Sequence, residues 1–187
     1  MFDKKKKGQA AMEYLMTYGW AILVIVIVLV ILVGFLPQFL RAPESCLFQE
    51  SGFSCQDRKP VIVADASDNV HVTFQLNNYQ GQQITVSHVL CTTAPAGDIR
   101  LDDEYAIDSA NLPADADGTI GSGGSLLIGS PNRLPCIDAE GNQVELTPNS
   151  NFNGFLVVWY NFHDEVPDAP ARKATAKLTG NVLEETS

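Results

Sequence analysis

The sequence predicts an α+β chain: one long hydrophobic N-terminal helix, followed by an all-β sandwich domain. Three observations carry that prediction. Tyr14 to Leu40 is a run of 27 residues without a single Asp, Glu, Lys or Arg. Beyond Pro60 the apolar residues recur every second position, the period of a strand with one buried face. All four cysteines lie after the apolar run, where an exported domain would use them as bridges.

Taken in order, the chain opens on Lys4 to Lys7, then Gly8, Gln9 and a short piece carrying Glu13. A helix is expected from Gln9 to about Leu36, with Pro37 as its stop. Extended to Leu40 it would be about 48 Å long, and a bilayer needs about 20 apolar residues. Its second half is Ile, Val and Leu on every face. Such a helix is buried all round, in lipid or among helices of its own kind. Every backbone group must then be paired inside the segment, which enforces helix despite the β-branched residues. Gly19 and Gly34 allow close packing or bending.

Residues 41–59 read as a linker and a first loop, with Phe48 and Phe53 over the edge of the domain that spans 60–187. Val61–Val63 is a short strand. Val70, Val72, Phe74 and Leu76 alternate with polar residues and form another. Asn77–Gly81 reads as a turn. Ile84 to Leu90 is the next strand, and Thr92 to Gly124 is a polar stretch with a short strand near 105–107. Leu126–Ile128 and Val144–Leu146 flank a loop carrying Cys136. Phe152–Phe162 is the most apolar exported segment and should be central. Ala174 to Val182 alternates again. Seven or so short strands separated by turn signals point to an immunoglobulin-like β-sandwich. No internal repeat stands out.

Formal net charge is −10. An acidic surface suits solubility outside a cell and argues against nucleic-acid binding, which runs on Lys and Arg. Lys4–Lys7 should stay on the cytoplasmic side of a membrane, which puts the bulk of the chain outside. Cys46, Cys55, Cys91 and Cys136 allow three disulfide pairings. The favoured set is Cys46–Cys55 as a local clasp and Cys91–Cys136 as a long-range tie. No Cys-x-x-Cys occurs, so zinc is disfavoured.

A secretory signal peptide has an apolar core of roughly 7–15 residues and a small-residue cleavage site. The core here is too long, and Gly34-Phe-Leu-Pro is a poor site. A plain anchor fits the length but leaves Gly8-Gln9 and Glu13 without a purpose, since an acid at the head of an apolar helix needs a partner. The stretch KKKKGQAAMEYL resembles the class III signal peptide of archaeal type IV pilins. The resemblance runs from Lys5 to about Leu36. It implies that residues 1–8 are a leader removed after Gly8 by a prepilin peptidase, and that 9–40 is the membrane helix of the precursor and later the filament core. It makes Gln9 the new N-terminus and Glu13 the fifth mature residue. It gives Glu13 a partner in the Gln9 amine of a neighbouring subunit. Ala11 stands where relatives often carry Ser, and both are small. Cleavage would leave 8 basic against 21 acidic residues, or −13. Further implied partners are a pilus assembly ATPase, a membrane platform protein and other copies of the chain, in a filament on the cell surface that serves adhesion.

Other signals are weaker. Asp115-Ala-Asp117-Gly118 lacks the further acids and distal Glu of a calcium loop. His71, His88 and His163 are scattered. Gly121-Ser-Gly-Gly124 opens no helix and so makes no phosphate cradle. No nucleophile motif is present, so no catalytic residue, metal or cofactor is expected. Phe155, Trp159 and Tyr160 read as core of a central strand. A minor pilin or pseudopilin of a secretion or uptake machine would share the N-terminus. A membrane-anchored monomeric binding protein would instead show a concave polar pocket and no cut at Gly8.

Overall fold

The computed structural model describes residues 4–39, 43–55, 57–95, 97, 99–100, 111–113, 116–166 and 168–185; in the helix, side chains are described for residues 16 and 18–35. The chain divides into two compact units, Met1–Arg41 and Ala42–Ser187.

The first unit is α1, Lys4–Phe39. At 36 residues it is about 54 Å long. It starts five residues before the expected Gln9 and passes through Pro37, ending two residues later. A proline in the last turn removes one ladder bond where the helix is ending anyway.

Among its described residues the second unit, the head, contains eleven strands. They are β1 (Ser45–Phe48), β2 (Phe53–Ser54), β3 (Val61–Ala64), β4 (Val70–Asn78), β5 (Ile84–Thr92), β6 (Thr119–Ile120), β7 (Ser125–Ile128), β8 (Leu134–Ile137), β9 (Asn151–Phe162), β10 (Arg172–Asn181) and β11 (Leu183–Glu184). β1 and β2 fall in the stretch read as linker, so that stretch is largely head. β8 forms where a loop was expected. Residues 144–146 contribute an isolated bridge, Asn69 with Glu145, in place of a strand. The strand expected near 105–107 lies outside the described residues. β4 continues through Asn77 and Asn78, where a turn was expected. Asn78 is fully buried, and its amide donates to the carbonyls of Gln82 (2.7 Å), Ile120 (3.1 Å) and Gly121 (3.2 Å). A buried amide so satisfied extends a strand as well as an apolar residue does.

One hydrogen-bonded path runs β1-β10-β9-β5-β8-β4-β3-β11, with β2 and β7 on β4 and β6 on β5. The pairs β5–β8 and β3–β11 are parallel; the rest are antiparallel. β10 is second from one end of this path and β11 is the other end, yet only Val182 separates them. The sheet must therefore curl until its ends meet. Where they meet, Gly180 packs closely: a Cβ there would lie 2.9 Å from Ile62 Cδ1, so that side chain would have to shift.

The curl gives two walls. In one, β10, β9 and β5 share long ladders, with Arg172–Asn181 of β10 paired against Tyr160–Asn151 of β9, and β1 adds a short edge on β10. In the other, β4 is central and pairs with β3, β8, β7 and β2. Between the walls lies one core. Phe74, Leu76, Phe152, Leu156 and Leu178 are fully or almost fully buried in it. Each such large side chain stabilises the fold by roughly 1.5–3 kcal/mol relative to exposure. Even-numbered residues of β9 point into this core. Its odd-numbered Val157 and Trp159 are also buried, in a second cluster with Leu90 under Ile99, Ile137 and Phe155. That explains why β9 reads as a continuous apolar run: a strand covered on both faces has no polar alternation.

β5 carries a bulge between Val86 and His88. Val86 N donates to Gly118 O at 2.9 Å. Gly118 has φ +81, and a Cβ there would sit 2.6 Å from Val86 O, so only glycine fits.

Two loops in the head repeat one design, Asp-Ala-x-x-Asn. Asp65 Oδ1 accepts from Ser67 N (2.8 Å) and Asn69 N (3.0 Å), while Asp138 Oδ1 accepts from Glu140 N (3.0 Å) and Asn142 N (2.8 Å). In both, the Asp N donates to the Asn carbonyl, and the fourth residue, Asp68 or Gly141, has positive φ. The carboxylate thus supplies the acceptors that the turning backbone lacks. Hydrogen bonds from Asn69 and Ser67 hold the Asp65 pKa at about 2, and the Asn142 backbone amide lowers that of Asp138. A lowered folded-state pKa means stability that is full above the unfolded value of about 3.9 and is lost as pH falls toward the folded value. Urea unfolding should therefore show Asp65→Asn less stable than the parent at pH 6, with the gap narrowing from pH 4 to pH 2. A gap that is constant across that range would assign the loss to geometry alone.

Candidate assembly helix and closure of the head

The 18 residues Tyr18–Phe35 have mean hydropathy 2.9 and are 0 % buried within the chain. Trp20, Ile25, Val30 and Val33 are all half or more exposed, although they point in different directions around the axis. A helix with no polar side needs cover on every side: lipid, or several neighbours at once. It is long enough to cross a membrane by length and composition.

Gly8, Gln9 and Glu13 all lie in the α1 backbone; their side chains lie outside the described residues. Gln9 and Glu13 are four apart in one helix and so share a face. The helix is continuous across the Gly8–Gln9 bond.

The cysteines form Cys46–Cys55, with Cα atoms 5.8 Å apart, and Cys91–Cys136, at 4.5 Å. No thiol is free, and all four residues are buried. Their placement follows from topology. Cys91 and Cys136 are direct register partners in the β5–β8 ladder, which is only two pairs long. β8 in turn holds β4 by two pairs, His71–Pro135 and Val72–Leu134. Cys46 lies in β1, at the edge of the first wall, and Cys55 follows β2, which pairs with β4 of the second. One bridge thus spans the walls on the β5–β8 side and the other on the β1–β2 side.

The remaining candidates fall into ordinary roles. His71 Nε2 lies 3.4 Å from Asp65 Oδ2. His88 meets Ser87 Oγ at 2.9 Å and the edge of Trp159. His163 N donates to Gln83 O across the end of the sheet. Asp117 Oδ1 accepts from Thr119 N at 2.9 Å, which lowers its pKa; Asp115 lies outside the described residues. Trp159 and Tyr160 are buried and Phe155 partly so. Among the described residues no three His, Cys, Asp or Glu side chains are grouped to hold a metal. A surface cavity of about 490 Å³ is lined in part by Asp65, Asp68, Glu184 and Glu185, but the Asp65 carboxylate is committed to its own loop. No protein-family model, curated protein or solved structure matches the chain.

Proposed function

We propose that the chain is a structural subunit of an archaeal type IV pilus-like surface filament. One observation carries the reading: an apolar helix without cover of its own follows directly on Lys-Gly8-Gln9 and Glu13. The precursor waits in the plasma membrane with its N-terminus cytoplasmic. A prepilin peptidase hydrolyses Gly8–Gln9, and the Gln9 amide nitrogen becomes an ammonium. An assembly ATPase and its membrane platform then draw the helix out of lipid into a bundle of like helices. Burial of about 1,000 Å² per subunit would contribute on the order of 25 kcal/mol before the costs of association. The head coats the outside and meets the surface to which the filament adheres. We read the head as a variant of the immunoglobulin-like sandwich. Its support is a pair of walls around one core, with long central strands β4, β5 and β9.

Sheared filaments from the native host should yield a chain that begins at Gln9 and lacks residues 1–8 by intact mass. Gly8→Val should leave the precursor uncut in the membrane, since a branched side chain crowds a site built for glycine. A chain that keeps Met1 in a host with an active prepilin peptidase would overturn the reading.

A further inference from the structure

The chain passes into the head through an edge strand, β1, held by one short ladder. β1 is antiparallel to β10, and its first residue sits opposite Thr179, close to the end of β10. Pro43 O accepts from Thr179 Oγ1 at 3.0 Å, and Ser45 Oγ lies 2.7 Å from the same hydroxyl. Tension arriving along the backbone at Pro43 reaches these pairs in chain order, from Ser45–Thr179 onward, and can open β1 like a zip. The whole ladder is only four residues long, and the exposed Glu44–Lys59 ion pair beside it, at 3.0 Å, adds little.

Cys46 is the second residue of that strand. Its bridge reaches Cys55, directly after β2, and β2 is bonded to Asn77–Asn78 of β4. β4 is the most connected strand of the head, with partners β2, β3, β7 and β8. We infer that Cys46–Cys55 is a tension clamp: it stops the zip after one residue pair and passes load from α1 to the β4 wall. Residues 47–52 lie off that path while the bridge is intact. Phe48 and Phe53, which stack at 5.6 Å, stay over Tyr160, whose ring lies 4.8 Å from that of Phe53. Without the bridge, tension would strip β1 and uncover this corner of the core. The inference rests on the filament reading, because it is the polymer that puts α1 under tension.

Cys46→Ala/Cys55→Ala filaments test it, held in steady flow or at rest, with a protease that cleaves at Phe and Leu. Cleavage between residues 43 and 55 is followed by mass spectrometry. At rest the variant should be cut slowly, faster than the parent by no more than the bridge's share of stability, which also shows that the variant folds. In flow the variant should be cut at least about tenfold faster, as local opening exposes the strand, and the parent should not change. Adding Ser45→Cys/Thr179→Cys, which bridges the first pair of the zip, should restore resistance. Equal cutting of variant and parent in flow overturns the clamp and leaves the filament reading standing, as does a restored pair that gives no protection. A variant already cut fast at rest would make the bridge a requirement for folding and overturns the clamp as well. Absence of the chain from any surface filament overturns both.

Discussion

If the chain is the proposed filament subunit, Glu13→Gln subunits should fold, reach the membrane and be cut after Gly8, yet enter filaments at least about tenfold less often than co-expressed parent subunits. The physical reason is register. Tyr18–Phe35 is apolar and exposed all round, so an incoming helix that slides along its neighbours gains nearly the same contact at many axial positions. Apolar burial is non-directional and supplies strength without address. A carboxylate facing the one ammonium created at Gln9 does supply an address, because either charge left unpaired in an apolar bundle costs several kcal/mol. Gln keeps the size and the hydrogen-bonding capacity but removes the charge, so the loss reads out pairing and not packing. Mass spectrometry of sheared filaments gives the ratio directly. Truncation sharpens the test: a chain beginning at Pro43 keeps both bridges and the whole core, and should stay monomeric. If it polymerises unaided, or if Glu13→Gln subunits enter at the parental frequency, the head carries the assembly contacts and the helix does not.

The parts of the fold that were legible share one physical origin. The apolar run before Pro37 and the alternation at Val70–Leu76 both state burial in residue order, and α1 and β4 are where they should be. β9 was legible for the opposite reason: a strand covered on both faces is apolar throughout, and its length marks it. What escaped was structure held by polar groups or by distant partners. β1, β2 and β8 have at most four residues each, too few to show a period, and exist because β10 and β4 lie beside them. Asn77 and Asn78 read as a turn by residue type and are strand because three carbonyls and Ser54 O meet their amides. The repeated Asp-Ala-x-x-Asn loops were visible letter by letter. Their equivalence lies in hydrogen bonds from backbone amides, which residue order does not weight. The curl itself is written in one place only, the single residue between β10 and β11, and means nothing until the strand order is known. The cysteine pairing could be favoured from spacing; that each bridge crosses a junction between walls could not. At the N-terminus the balance is reversed. Gly8, Gln9 and Glu13 were singled out by sequence pattern, and their role depends on a cut and on neighbours that one folded chain does not contain.

The two bridges should rank in opposite orders for stability and for tension. Cys91→Ala/Cys136→Ala opens a loop with a sequence separation of 45, against 9 for Cys46–Cys55. Chain entropy assigns the longer loop about 4 kcal/mol and the shorter about 2.5 kcal/mol. The structure adds to the difference. Cys91 and Cys136 are both fully buried, and the β5–β8 ladder they staple has one other residue pair, Thr92–Ile137. Loss of the staple leaves the β5 side of the first wall joined to β4 through two short ladders and the hydrogen bonds of Asn78. A domain of this size is stable by about 5–15 kcal/mol, so the longer bridge supplies a large share, and its removal should lower the melting temperature by roughly 8–16 °C. Urea unfolding of the full chain in detergent, followed by Trp fluorescence, should place the Cys91/Cys136 variant below the Cys46/Cys55 variant, and both below the parent. The order under tension is the reverse. Load entering at Pro43 meets Cys46 first, and a chain that has lost only Cys91–Cys136 still passes that load to β4. A Cys46/Cys55 variant that proves the less stable of the two in urea would mean that the β1 junction, and not the β5–β8 junction, limits global unfolding. The entropic ranking would then be wrong for this fold.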